Sequence, residues 1–480
     1  MKKRLLALLL LCTLFLTVIA CSSPDGDTKE TQDTAADTTV AVDEPEELSD
    51  NLPNADFDGY EFNIFSCIFF DRELGEYVTF EELTGDPVDD VLYNSKITIE
   101  DRFNCKIAII RAGSDTGAHM SQVKASVKAG DHAFDMSIGH DNETVNASME
   151  GNFYNLFNVP QFDFSKPWWP ENTVENLSLL GKMYVGSNYM SYCGLHWTRA
   201  LLVNKTEAEN MGIEIPYEQV KAGTWYLDDM ITMVQDAAYD VNGNGKMDNG
   251  DFFGFATGDQ TWYCMQESAG IQIVTKDPAL GGLALAVDQD KVMNYLDKIR
   301  YLIKDSGSFY QEGAFAVETF RKGNTLIAYT QVGDAYDTFR ASEISYGFLP
   351  APKLDENQED YISTCTDVPW AIPITSEPYI DKVGTIIEAM SAYNYKYVIP
   401  AYFEVALMKK LADAPEDAEM LDIIKTTRTI GFAYAFSLPF RNLVADCVQG
   451  NSEFSSYYAK QEKSAIKTLD KIYNKYDELY

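Results

Sequence analysis

The stretch Asp240 to Asp251 reads DVNGNGKMDNGD, with three acids, three asparagines and three glycines in twelve residues. Such a run sustains neither a helix nor a strand, but it places oxygen donors at alternating positions. Counted as a twelve-position loop, Asp240, Asn242, Asn244, the Lys246 carbonyl, Asp248 and Asp251 fall at positions 1, 3, 5, 7, 9 and 12. Gly245 stands at position 6, where the chain must turn sharply. Calcium takes six to eight hard oxygens from a flexible loop of this spacing. Asn at positions 3 and 5, and Asp251 in place of a longer bidentate Glu, lower charge and reach. The expected affinity is therefore at the weak end, roughly 10⁻⁴–10⁻³ M. The competing reading is a hydrophilic Asn-Gly turn that binds nothing.

Other chemistry is sparse. His119, His132, His140 and His196 form no HExxH or close repeat, which argues against zinc. Cys67, Cys105, Cys193, Cys264, Cys365 and Cys447 are scattered without a CxxC pair, so an even count permits disulfides but specifies none. With 74 acids some carboxylate pair is always available, so a two-carboxylate glycosidase has no specific signal. There is no GxSxG elbow, and Cys193 with His196 in CGLHW has no motif frame.

The ends decide where such a chain works. Lys2, Lys3 and Arg4 precede an apolar run that stops at Val18-Ile19-Ala20-Cys21. That pattern resembles a lipobox: a signal peptide over 1–20, with Cys21 as the lipidated residue. The rival is an ordinary signal or a single-pass anchor. From Ser22 to Asp56 there are eleven acids, one lysine and no aromatic residue, so 21–57 reads as a solvated acidic tether. Removing the leader takes the net charge from −36 to −39, because it holds three basic side chains and no acid. Such a polyanion is a poor partner for nucleic acid or anionic lipid headgroups. Its membrane attachment would be the lipid alone.

These residues need elements to position them. Tyr60–Ser66, Lys106–Arg111 and Phe134–Ile138 read as strands, separated by helical stripes over Val88–Phe103 and Met120–Ala129. Strand and helix in alternation indicate an α/β fold with a parallel sheet. A second unit follows: strand Arg199–Asn204, helix Leu227–Asp236, the oxygen-rich loop, strand Phe252–Ala256, helix Val292–Ile303, then strands Thr325–Thr330 and Tyr346–Leu349. One helix carries Val383, Ile386, Ile387 and Met390 in phase, and the last carries Ile466, Leu469, Ile472 and Tyr476. No fixed-period repeat is present, and the alternating pattern argues against a β-rich adhesin.

RALLVNKTEAENMGIEIP followed by GTWYLDDM, then ISYGFLPAPKLDENQEDY, and VLYNSKITIEDRFNCKI near the start, together resemble family 1 extracellular solute-binding proteins of clostridial type. This is the family that includes maltose-binding protein. The resemblance implies the type II periplasmic-binding-protein fold: two hinged α/β lobes, discontinuous in sequence, closing on a small ligand. Lobe one would be 58–197 and 368–430; lobe two would be 198–367 and 431–480, with the calcium loop 240–251 on it, outside the cleft. The implied role is capture of a carbohydrate for ABC permease subunits, without catalysis; the rival class is an exported lipoprotein glycosidase.

In that fold the ligand lies at strand C-termini between the lobes. A sugar site pairs aromatic platforms with carboxylate and amide groups. The candidates are then His140 and Asp141 after FDMSIG, Trp197 before the crossing strand, and Trp225 at a helix start. Asp259, Gln260 and Trp262 follow FFGFATG, Gln331 and Asp334 follow TLIAYT, and Asp367 and Trp370 lie on the return crossing. Trp262 and Trp370 are the favoured stacking rings. Packing competes at each tryptophan, most clearly at Trp168-Trp169 in KPWWP, where flanking prolines fix a corner.

Overall fold

Phe62 and Ile64 alternate with polar neighbours in YEFNIFS, and Asp58 and Gly59 before them take positive φ, so a turn feeds the chain into a strand. In the computed structural model, which describes residues 48–69, 72–259, 261–276, 282–313, 316–339, 342–366, 368–406 and 415–479, that strand is Tyr60–Ser66 (β1). Cys105–Arg111 (β2) and Met136–Ile138 (β3) lie parallel to it on either side. The crossover from β1 to β2 carries the helix Pro87–Phe103. Its start is fixed by Asp86, whose side chain accepts from Val88 N at 3.0 Å, by Pro87, and by Asp89 and Asp90 in the first turn.

The second sheet contains Arg199–Asn204 (β4), Phe253–Thr257 (β5), Phe309–Gln311 (β6), Thr325–Gln331 (β7) and Tyr346–Leu349 (β8), in the order β6-β5-β7-β4-β8. β5, β6 and β7 are mutually parallel, and β4 runs antiparallel to both β7 and β8. Its six residues are all buried, which is why RALLVN shows no polar alternation. Trp370–Ala371 (β9) then returns to pair antiparallel with β3, giving the first sheet the order β9-β3-β1-β2. The passages between the sheets are bound to one another: Thr198 bridges Cys365, and Ser363–Thr364 pairs with Arg428–Thr429.

Three expected boundaries shift. The solvated tether does not run to 57, because Asp50 pairs with Arg102, Arg102 also donates to the Leu52 carbonyl at 2.9 Å, and Phe57 stacks on Phe103. The leader, Cys21 and the tether up to residue 47 lie outside the described residues. The helix Pro415–Thr426, expected with lobe one, docks on the second sheet. Its buried Asp417 accepts from Lys205 Nζ at 2.7 Å, Tyr217 Oη at 2.8 Å and Phe348 N at 3.1 Å. The last helix, Phe454–Glu478, buries Ala465, Leu469, Ile472 and Tyr476 but leaves Ile466 exposed, one position out of the expected stripe. Tyr476 packs on both Tyr184 and Phe436, so this helix reaches residues expected in lobe one rather than staying with lobe two.

All six described cysteines are buried, and none of them is joined in a disulfide. Among the described residues no helix is long and apolar enough to cross a membrane.

Candidate functional site

Phe69 and Arg72, past the C-terminal end of β1, line one cavity with Gln331 from the end of β7. After β3 comes His140, then the helix Asp141–Ser148. His140 Nδ1 lies 2.6 Å from Glu143 Oε2 and 3.0 Å from Asp141 Oδ1. Burial works against the imidazolium, but hydrogen bonds and charge from Asp141 and Glu143 outweigh it and raise the His140 pKa above its ordinary value. Asp141, itself buried, accepts from the Tyr434 hydroxyl, and the Tyr434 ring stacks on Tyr263 at 4.6 Å and 8°. That chain of contacts joins the end of β3 to the helix Trp262–Ser268 after β5.

On the adjoining side lies a cavity of about 210 Å³ lined by Phe69, Arg72, Tyr77, His196, Trp197, Gln331 and Asp337. Trp197 is the only one of the six tryptophans that is not buried. Its ring lies 5.6 Å from Phe69, and Phe69 meets His140 edge-on at 4.7 Å. Arg72 stands 4.2 Å over the Tyr77 ring and donates to the Tyr192 hydroxyl; its buried Nε has no hydrogen-bond partner among the described residues. At the end of β7, Gln331 accepts from Arg199 Nη1 at 2.9 Å and donates to Asp334 Oδ1 at 3.2 Å. Asp334 also accepts from Thr330, so this carboxylate is spent inside the protein. Burial raises its pKa. His196 faces Asp337 at 3.2 Å.

Of the expected residues, Trp197 and Gln331 line this cavity, His140 adjoins it through Phe69, Asp141 is buried behind His140, and Asp334 is a buried brace. Asp259, exposed, stands at the end of β5. Gln260 and Asp367 lie outside the described residues.

The three other candidate tryptophans are elsewhere. Trp225 is buried under Pro350, to whose carbonyl its indole donates at 3.3 Å. Trp262 is fully buried 5.8 Å from Phe309, its indole nitrogen without a partner among the described residues. Trp370 packs on Trp169 and donates to Asn188 Oδ1 at 3.2 Å; Gly186 approaches so closely that a Cβ there would sit 2.4 Å from the indole. None of these three rings offers a face to a ligand in this structure, so the expected stacking roles of Trp262 and Trp370 have no open surface to act on. Phe69, Arg72, Tyr77 and Tyr434 were missed. The strand-end rule, applied to β1 as it was to β3, β5 and β7, points to the first three.

The oxygen-rich loop is exposed over 241–250 and organised around its first and last acids, half-buried Asp240 and buried Asp251. Asp240 accepts from the backbone of Gly243 at 2.6 Å and Gly245 at 2.7 Å, and Asp251 accepts from Asp248 N at 2.7 Å and Val241 N at 3.0 Å. Gly243 and Gly245 take φ of +70° and +76°, conformations that favour glycine. Among the described residues no three His, Cys, Asp or Glu side chains converge as a metal site.

No protein-family profile matches the sequence, and no curated protein does. Solved structures do match. An ABC substrate-binding protein of Listeria monocytogenes in complex with cycloalternan is 12% identical, covering 88% of this chain and 100% of that one, with a TM-score of 0.52. The GacH receptor of Streptomyces glaucescens, described unliganded and with acarbose, is 14% identical over 86% of this chain and 99% of that one, with a TM-score of 0.54. UgpB from Mycobacterium tuberculosis in complex with glycerophosphocholine is 14% identical over 83% and 96%, with a TM-score of 0.51. At these identities the likeness speaks to architecture. The chain has the type II periplasmic-binding-protein fold, two α/β lobes whose strand ends face each other.

Proposed function

We propose that this chain is a lipid-anchored extracytoplasmic binding protein that captures a carbohydrate and hands it to ABC permease subunits, without catalysis. The observation that carries the reading is the cavity beside Trp197. It sets the rings of Phe69, Tyr77 and Trp197 next to Arg72, Gln331 and Asp337. A pyranose presents apolar C–H faces and a rim of hydroxyls, and that pairing of rings with donors and acceptors is complementary to it. Two of the similar structures contain sugars, cycloalternan and acarbose. None of those described above is an enzyme, and no observation favours the glycosidase alternative. A ligand held by both lobes shifts the open–closed population toward the closed form. The test is a thermal-shift screen against mono- and oligosaccharides, followed by scattering and recovery of the ligand. Compaction with chemically unchanged sugar supports the reading; product formed over multiple turnovers replaces it with an enzyme.

The anchor rests on the leader ending in Val18-Ile19-Ala20-Cys21. Cys21→Ala would release the protein or leave it unprocessed, and a wild-type chain without an acyl group at Cys21 would remove the claim. For the loop 240–251 the proposal is one structural calcium, held by Asp240, Asn242, Asn244, the Lys246 carbonyl, Asp248 and Asp251. Its support is the spacing together with the glycine turn at Gly245.

A further inference from the structure

Away from the opening beside Trp197 lies a larger cavity of about 520 Å³, walled by Asn172 and Asn176, by Gln272 and Asn357, and by Gly431. Glu267, on the helix Trp262–Ser268, turns its carboxyl toward this space. Gly431 packs directly on it: a Cβ there would meet Glu267 Oε1 at 1.8 Å. Glu267 is half-buried, but its Oε2 is sealed from water and accepts no hydrogen bond among the described residues. A carboxylate oxygen in that condition favours protonation or a positively charged partner for the group.

The protein withholds the obvious partners. Lys291 Nζ, on the same wall, donates to the Gly270 carbonyl at 2.8 Å. Lys276 Nζ is taken up by backbone carbonyls at the end of the helix Glu171–Leu177, including Asn176 at 3.1 Å and Ser178 at 2.7 Å. Further carboxylates, Glu175, Glu359 and Asp360, are exposed around the same cavity. The field therefore selects for positive charge, in a chain whose net charge is −36. A space this size exceeds a bare ion, and no three acidic, His or Cys side chains converge as a metal site among the described residues. Amide side chains on the walls supply hydrogen bonds to a polar body.

We propose that this cavity is a second ligand site, distinct from the cleft, which takes a small organic ammonium ion of the diamine or amino-sugar class with Glu267 as its counter-ion. Burial pushes the Glu267 carboxyl up to about 8 while the site is empty. Binding an ammonium at pH 7 then drives a proton off Glu267, so affinity rises between pH 6 and pH 8 and binding releases protons to the buffer.

The test is titration calorimetry on the full chain with putrescine and glucosamine, and with glucose and glycerol as neutral controls, in buffers of different ionisation enthalpy. An amine binds, with heat that tracks buffer ionisation; Glu267→Gln, nearly isosteric and with an unchanged melting temperature, weakens it by about tenfold or more. Trp197→Ala leaves amine affinity within about twofold, which separates this site from the sugar cleft. No amine binding by the folded chain up to about 10 mM, equal affinity in Glu267→Gln, or loss of amine binding in Trp197→Ala overturns the proposal. Failure of every sugar to bind would leave it standing.

Discussion

The Trp168-Trp169-Trp370 corner and the wall around Trp197 are built from the same kind of residue and do opposite things. In the corner, both Trp168 and Trp169 donate to one buried carboxylate, Glu388, at 2.9 and 3.1 Å, and Trp370 donates to Asn188. The rings pack on one another, on Phe162 and on Gly186, so they are closed to anything outside. At the wall, Phe69 and Trp197 meet only partly and keep a cavity between them and Arg72. A tryptophan is therefore left open to a ligand by its position and the space beside it, not by its identity.

The comparison breaks most easily at the corner. Trp370→Ala opens a cavity against Gly186 and Trp169 and is expected to cost about 3–5 kcal/mol in urea denaturation, while leaving sugar affinity in the surviving folded fraction unchanged. A cost below about 1 kcal/mol would mean the corner is loosely packed.

Next comes the carboxylate that anchors it. Burial pushes Glu388 up to about 7 against the indole hydrogen bonds that favour its ionised form. A folded-state pKa above the unfolded value means the folded protein binds the extra proton, so this stability is fully present below the unfolded pKa and is lost as pH rises toward 7. The expected loss is about 3 kcal/mol. Glu388→Gln, read by urea melts at several pH values, is expected to flatten that slope; an unchanged slope removes Glu388 as its source.

The wall is expected to behave in reverse. Trp197→Ala costs about 1–3 kcal/mol of sugar affinity from the apolar area it offers, with less than about 1 kcal/mol of stability because the ring is only partly buried. The smallest effect lies farthest from both regions. Chelation removes about 0.4–1.4 kcal/mol at about 1 mM calcium, from mass action at the expected affinity. Asp240→Ala abolishes the chelator-sensitive part of the melt, and an unmoved wild-type melt makes the loop a plain turn.

Much of the scaffold was legible because burial wrote itself into local pattern. Tyr60–Ser66, Arg199–Asn204 and Tyr346–Leu349 begin and end where the sequence pattern places them. What escaped was decided across long separations. Nothing near Asp417 signals that its helix docks on Lys205, Tyr217 and the β8 backbone about two hundred or fewer positions away; its amphipathic face fits either sheet equally. Within the candidate site, His140, Asp141, Trp197 and Gln331 were legible as candidates because each adjoins a recognisable strand. Phe69, Arg72 and Tyr77 sit in two two-residue strands and a four-residue 3-10 helix after β1, too short for periodicity to betray which way a side chain turns. Trp370 misled because its strand is two residues long, too short for alternation to show that its ring faces inward.

The six sealed cysteines have a practical meaning for anyone who wants to watch the lobes move. Burial pushes Cys67 and Cys447 up to about 11 and Cys105 and Cys264 up to about 12, far from the thiolate that a maleimide attacks. The buried thiols are thus expected to react slowly with such reagents, and with Cys21 acylated or replaced a cysteine introduced at Asp259 or Asp337 would take a fluorophore ahead of them, without first stripping the native thiols from the core.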